Sequence, residues 1–192
     1  MSVRKNIHEK NGVFFITFTC ARWLPLFQIT NGYCVVYKWF EYLKKNGHFI
    51  IAYVIMPNHV HAIIAFRKTD QFINTIIANG KRFMAYDLIR RLKLYGMNQI
   101  LDQLASWVNK SQKQINKQHE VFEPSFEQKE CFNLWFLKQK MDYIHLNPCK
   151  KGSAVLPEDY EHSSASYYFT GLHRNCAVIT YMELQDIDLG GF

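Results

Sequence analysis

The sequence predicts an α+β fold of the ferredoxin-like split βαβ type, an antiparallel sheet with helices packed on one face. Three observations predict it. Segments alternate as strand, helix, strand, strand, helix, strand along the chain. The second and third strands are separated only by Pro57-Asn58, a hairpin-length connection. The 192 residues, 48% of them hydrophobic, suffice for one well-buried core rather than two.

Residues 13–20, "VFFITFTC", follow Asn11-Gly12 and combine β-branched with aromatic side chains, which marks a strand starting after a turn. Between residues 30 and 46, Tyr33, Val36, Tyr37, Phe40 and Leu43 recur at spacings of three and four, and Asn46-Gly47 supplies a stop; this is an amphipathic helix. "HFIIAYVIM" (48–56) and "HVHAIIAF" (59–66) read as the hairpin, central in the sheet. A second helix follows over 70–94, with Asn79-Gly80 as a point where it can kink or split. Residues 96–120 are polar and read as an insert or linker, whose second half, with "NKSQKQINKQHE", is a linker or an exposed helical excursion. "VFEPSFEQ" (121–128) supplies the fourth strand, with Pro124 marking either an edge position or a break. A last helix spans 130–147, with Pro148 at or just past its end. The expected organisation is one domain over residues 1–170 and a C-terminal extension over 171–192.

Lys and Arg total 23 against 16 Asp and Glu, a formal charge of +7, and this excess favours polyanionic partners such as nucleic acid. The five cysteines, Cys20, Cys34, Cys131, Cys149 and Cys176, are scattered without a CxxC pair, as expected of reduced structural thiols in a cytoplasm. No apolar run approaches the roughly 20 residues of a membrane span, and "MSVRKNIHEKNG" lacks the apolar core of a signal peptide. A cytoplasmic, nucleoid-associated location with no membrane partner is the expectation.

Alternate residues of a strand share a face, so His59 and His61 can aim both imidazoles at one point while Val60 turns away. Two imidazoles make half a metal site or an incidental pair, and a third ligand decides between these. In "MDYIHLNP", Tyr143 and Asn147 lie four apart on one helix face, and His145 is rotated off it. Beside the strand, that face would offer a carboxamide oxygen to an ion and a phenol next to it; alternatively, Tyr143 is a half-buried packing residue. Lys81, Arg82, Arg90 and Arg91 on the second helix, with Arg4 and Lys5 near the start, form either solvated charged surface or a phosphate-binding surface.

"YVIMPNHVHAIIAF" followed by "MDYIHLNPCKKG" closely resembles the paired signatures of the REP-associated tyrosine transposases, part of the HUH single-tyrosine transposase superfamily. "FFITFTCARWLPLF" resembles the family's opening strand and "YEHSSASYY" its downstream segment, so the likeness runs over roughly residues 12–170. The resemblance implies that His59 and His61 are metal ligands, Asn147 the third ligand and Tyr143 the nucleophile. It also implies Mg²⁺ or Mn²⁺ as cofactor and hairpin-forming single-stranded DNA as partner. The implied step is attack by Tyr143 on a phosphodiester, leaving a 5′-phosphotyrosine and a free 3′-hydroxyl. The chain departs from the family's pattern in its long polar stretch at 96–120 and in Cys149, which stands where a small aliphatic residue is more usual. A homodimer is compatible with the pattern, since a nucleophile helix can serve its own site or a partner's. Two further readings compete: a module that binds hairpins without cutting, and a metallohydrolase that uses water as nucleophile.

Overall fold

The structure is a computed structural model that describes residues 9–109 and 116–190. Along the chain run β1 (Gly12–Thr19), α1 (Leu26–Ile29), α2 (Tyr33–Lys45), β2 (Phe49–Ile55), β3 (His59–Phe66), α3 (Ile73–Leu94), α4 (Asn98–Ser106), β4 (Glu127–Glu130), α5 (Leu134–Lys150) and α6 (Ala165–Thr170). The strands form one sheet in the order β2-β3-β1-β4, every neighbouring pair antiparallel. This is the strand order of the split βαβ fold: β3 lies between β1 and β2, which the helix α2 connects.

The alternation of side chains along the strands builds two cores. Phe14, Ile16 and Phe18 of β1 and Val60, Ala62, Ile64 and Phe66 of β3 join Val36, Phe40 and Leu43 of α2 and Ile77, Met84 and Leu88 of α3 on one face. The intervening residues Phe15, Ile63 and Ala65 turn to the other face, where Met141 and Ile144 of α5 cover them. The two crossover helices thus share one face as expected, and α5 adds a layer on the opposite one. The second layer has a physical cause: every residue of β3 is buried, which a single layer of helices cannot achieve. In β2 the register slips between Ile50 and Ala52, so the neighbours Ile51 and Ala52 both enter the second core, as a β-bulge allows.

Elsewhere the details differ from the sequence expectation. Nine residues of the stretch read as an insert form α4, whose Leu101 and Leu104 are buried in the first core. β4 begins after Pro124 rather than before it. Phe122 makes only an isolated bridge to Cys20, and the ladder with β1 runs from Glu127 to Glu130, because proline cannot donate to a ladder. α3 passes unbroken through Gly80, and α5 continues through Pro148 to Lys150. Residues 171–190 fold back on the sheet: Ile179 N–H donates to the Ile50 carbonyl at 3.0 Å, and Ile179, Tyr181, Leu184 and Leu189 pack on the second core. Among the described residues, no helix is long and apolar enough to cross a membrane.

Candidate active site

The hairpin turn sets the histidines. The backbone N–H of Cys20 donates to the Asn58 carbonyl at 2.8 Å and that of Phe27 to the Pro57 carbonyl at 3.0 Å, which ties the turn to the end of β1 and to α1. β3 starts at His59, and its alternation delivers His59 and His61 to the face that α5 covers. The two imidazole centroids lie 4.7 Å apart, and both residues are buried.

Each ring is held at Nδ1. Asn58 Oδ1 lies 2.6 Å from His59 Nδ1, and the Asn58 amide nitrogen donates to the Trp23 carbonyl at 3.2 Å. A carboxamide oxygen accepts only, so His59 carries its proton on Nδ1 and keeps a lone pair on Nε2. Thr17, paired with His61 across β1 and β3, places its hydroxyl 2.6 Å from His61 Nδ1. Burial pushes His59 down to about 4, helped by the charge of Lys151 and opposed by the side chain of Asn147. Burial, then His59 and Lys140, push His61 down to about 3. Both rings are therefore neutral near pH 7, the form that binds metals.

α5 completes the site. Its N-cap Asn133 accepts from the Phe136 N–H at 2.8 Å, satisfying one of the unpaired donors of the first turn. From there the helix carries Tyr143 and Asn147 across the sheet. The Tyr143 ring lies 5.0 Å from the His61 ring and 6.0 Å from that of Phe15, which itself stacks on His61 at 5.7 Å. Tyr143 is 41% exposed, open to a large substrate. Asn147 is buried, reaches His59 with its side chain, and has an Oδ1 without any partner. An orphaned carboxamide oxygen beside two neutral imidazoles suits a divalent cation: it costs stability when empty and is satisfied by coordination. Among the described residues there is no cluster of three His, Cys, Asp or Glu side chains. Two imidazole nitrogens and one amide oxygen are the groups that would hold such an ion here.

The basic residues singled out in the sequence are not brought to this site. α3 lies on the opposite face of the sheet. Lys81 is buried, and its ammonium donates to the carbonyls of Glu123 and Ser125 at 2.8 and 3.3 Å. Arg91 donates to the carbonyls of Thr30 and Asn31 and to Cys34 Sγ, bracing α3 against the start of α2. Arg90 pairs with Asp87, and Arg82 lies over the Phe83 ring at 5.3 Å. Arg4 and Lys5 lie outside the described residues. The cations near the site are instead on α5 and just after it: Lys140 and Lys150 lie 5.7 and 6.0 Å from the Tyr143 ring, and Lys151 acts on His59. Lys140 is not among the residues singled out in the sequence, although its place three before Tyr143 on the same helix face was a signal for it; Thr17 had no such signal, because strand register is not written in a local pattern. Trp23, in left-handed backbone with Arg22, closes one side with its ring 5.6 Å from His59.

No protein-family model matches the chain, and no curated protein matches it. Among solved structures, it resembles a REP-associated tyrosine transposase bound to a REP hairpin, with a TM-score of 0.62 and 19% identity over 100% of this chain and 95% of that one. A putative transposase from Deinococcus radiodurans gives a TM-score of 0.39 and 14% identity over 75% of this chain and 95% of that one. The first likeness spans the whole chain and shows that it has the fold of a REP-associated tyrosine transposase.

Proposed function

We propose that this chain nicks and rejoins hairpin-associated single-stranded DNA through a 5′-phosphotyrosine, as a metal-dependent tyrosine transposase. One observation carries the reading: the partially exposed Tyr143 phenol stands against the His61 imidazole, with the orphaned Asn147 oxygen one helical turn further along the same helix. The solved neighbour of the same fold is a tyrosine transposase bound to a REP hairpin, which supports the same substrate class here.

His59, His61 and Asn147 would hold Mg²⁺ or Mn²⁺. When bound there, the ion supplies Lewis-acid stabilisation of charge on a phosphate oxygen. Two nitrogen donors tilt the preference toward Mn²⁺ over the harder Mg²⁺. The remaining work belongs to the chain. Asn58 and Thr17 fix the two imidazoles, Phe15 supports Tyr143 and His61 from below, Lys150 lends positive charge beside the incoming phosphate, and Lys140 lends it to the DNA backbone next to that link. Phosphate contacts at the reacting centre are thus assigned to α5 rather than to Lys81, Arg90 or Arg91.

In the step itself the phenolic oxygen of Tyr143 forms a bond to phosphorus while the bond from phosphorus to the 3′-oxygen breaks. The phenolic proton passes to solvent, and the departing 3′-oxygen takes one up. The phosphodiester energy is kept, so a second 3′-hydroxyl can reverse the attack and join strands. Orientation of phenol and phosphate on a rigid helix and strand supplies much of the acceleration.

The test is incubation of the protein with Mn²⁺ or Mg²⁺ and hairpin oligonucleotides carrying single-stranded flanks. A covalent adduct is expected, mapping to Tyr143 by peptide mass spectrometry. Tyr143→Phe should abolish the adduct and retain DNA binding. An adduct that persists in that variant excludes Tyr143. Binding without cleavage across a broad panel points to the non-cutting module, and multiple turnover without any adduct points to the metallohydrolase.

A further inference from the structure

The face of α5 that bears Tyr143 does not end there. Phe136, Lys140, Tyr143 and Asn147 follow one another at spacings of four, three and four, so they form a single stripe. The stripe begins at Phe132, just before the N-cap, whose ring stacks on Phe136 with centroids 5.4 Å apart and planes at 19°. Phe132 is 72% exposed and its neighbour Trp135 is 69% exposed. Lys140 Nζ lies 4.8 Å from the Phe15 ring, 5.2 Å from Phe136 and 5.7 Å from Tyr143. Among the described residues, no carboxylate pairs with it.

This combination is unusual for a surface helix. Aromatic surface left exposed costs free energy in water, and a half-buried ammonium among three rings without a counter-ion is short of an anion. Exposed aromatic faces interleaved with cations are what unpaired nucleotides require: every base has a face that stacks, and every link has a phosphate. The rise of a helix places Phe136 about 10 Å along the axis from Tyr143, room for a few nucleotides next to the bond under attack.

We propose that this stripe is a track for the unpaired nucleotides flanking the scissile phosphate on one side. Phe132 and Phe136 stack bases, and Lys140 meets the phosphate adjacent to the one that Tyr143 attacks. The inference rests on Tyr143 as the nucleophile for the position of the track, while its occupancy can be measured without chemistry. It also explains why Lys140 packs on Phe15: the ring that underlies His61 also underlies the cation, so track and reacting centre share one floor.

The full chain carrying Tyr143→Phe is titrated against hairpins whose 5′ or 3′ single-stranded tail contains 2-aminopurine. Quenching of the probe is expected on one tail and not on the other. Phe132→Ala with Phe136→Ala should remove the quenching and weaken tail binding about tenfold or more. Lys140→Gln should lower the salt dependence of binding by roughly one phosphate contact. Phe83→Ala, an exposed aromatic on α3, is the control and should change nothing. Thermal melting of each variant separates loss of the track from loss of the fold, and Leu substitutions at 132 and 136, which keep apolar bulk but remove the ring, provide a second folded pair. Quenching and affinity that survive all these changes overturn the track. So does a concentration-dependent dimer that the Phe variants abolish while tail binding stays intact, since the stripe would then face a second copy. In the wild-type protein, a Tyr143 adduct with no effect of the α5 variants leaves the nicking reading standing and removes the track. Ring-dependent quenching with no adduct does the reverse.

Discussion

At the scale of single residues, the site depends on groups that touch the imidazoles from behind. Asn58 and Thr17 each hold an Nδ1 atom at 2.6 Å, and such partners typically contribute 10–100-fold in metal affinity. Asn58→Ala and Thr17→Val should each weaken Mn²⁺ binding by about that factor in calorimetric titration while the protein stays folded; unchanged affinity would remove them from the metal-binding role. The difference between Lys81 and Lys140 shows what a sequence can and cannot tell at this scale. Both are lysines on long helices. Lys81 is buried with its ammonium on two carbonyls, and nothing in its neighbours announces this, since the accepting carbonyls come from residues more than 40 positions away. His59 and His61 were readable because the two-residue period of a strand forces them to one side whatever the partner strands do.

At the scale of elements, α2 and α3 meet where Gly80 allows it. A β-carbon there would lie 2.3 Å from Trp39 Nε1, so the glycine serves close helix packing rather than a kink. Gly80→Ala, though it favours a helix intrinsically, should destabilise the protein by about 1–3 kcal/mol in urea denaturation, and Trp39→Phe in the same chain should restore part of it. A neutral or stabilising result would mean that the two helices separate freely. The hairpin and both crossover helices were legible, because their apolar rhythm is long and regular, but of the two hairpin strands expected at the centre only β3 is internal and β2 is an edge. β4 was misplaced because Glu127–Glu130 are polar residues on an edge strand and carry no alternation of apolar side chains to find. α4 was hidden because its two buried leucines sit within a polar stretch. The layer made by α5 was implicit in the unbroken apolar character of "HVHAIIAF" after its histidines, since a strand buried on both faces needs cover on both.

At the scale of the whole molecule, several histidines are buried in neutral form. Burial pushes His145 down to about 4 as well as His59 to about 4 and His61 to about 3. His145 links α5 to the rest through Ser164 Oγ at 2.9 Å, and Ser164 is bonded in turn to the backbone of Tyr53 in β2. In each case the unfolded chain, with an imidazole pKa near 6.5, binds the proton more readily than the fold does. The stabilisation is therefore complete above about pH 6.5 and is lost as pH falls from there toward about 4. We expect the urea midpoint to be flat between pH 7 and 8 and to fall steeply between pH 6.5 and 4.5, on the order of 2 kcal/mol per imidazole by pH 5. An equal midpoint at pH 7 and pH 4.5 would contradict the buried neutral rings. Added Mn²⁺ should raise the midpoint at pH 7 and lose that effect in acid, as protons compete for the same nitrogens.

The central claim is that one divalent ion sits between His59, His61 and Asn147 beside the Tyr143 phenol. Anomalous diffraction from crystals of the protein soaked in Mn²⁺ tests it most directly. A single strong peak is expected within bonding distance of the Nε2 atoms of His59 and His61 and of Asn147 Oδ1, and it should be absent from His61→Ala crystals. Manganese bound elsewhere, with the imidazole pair and the Asn147 oxygen left free of it, would contradict the account.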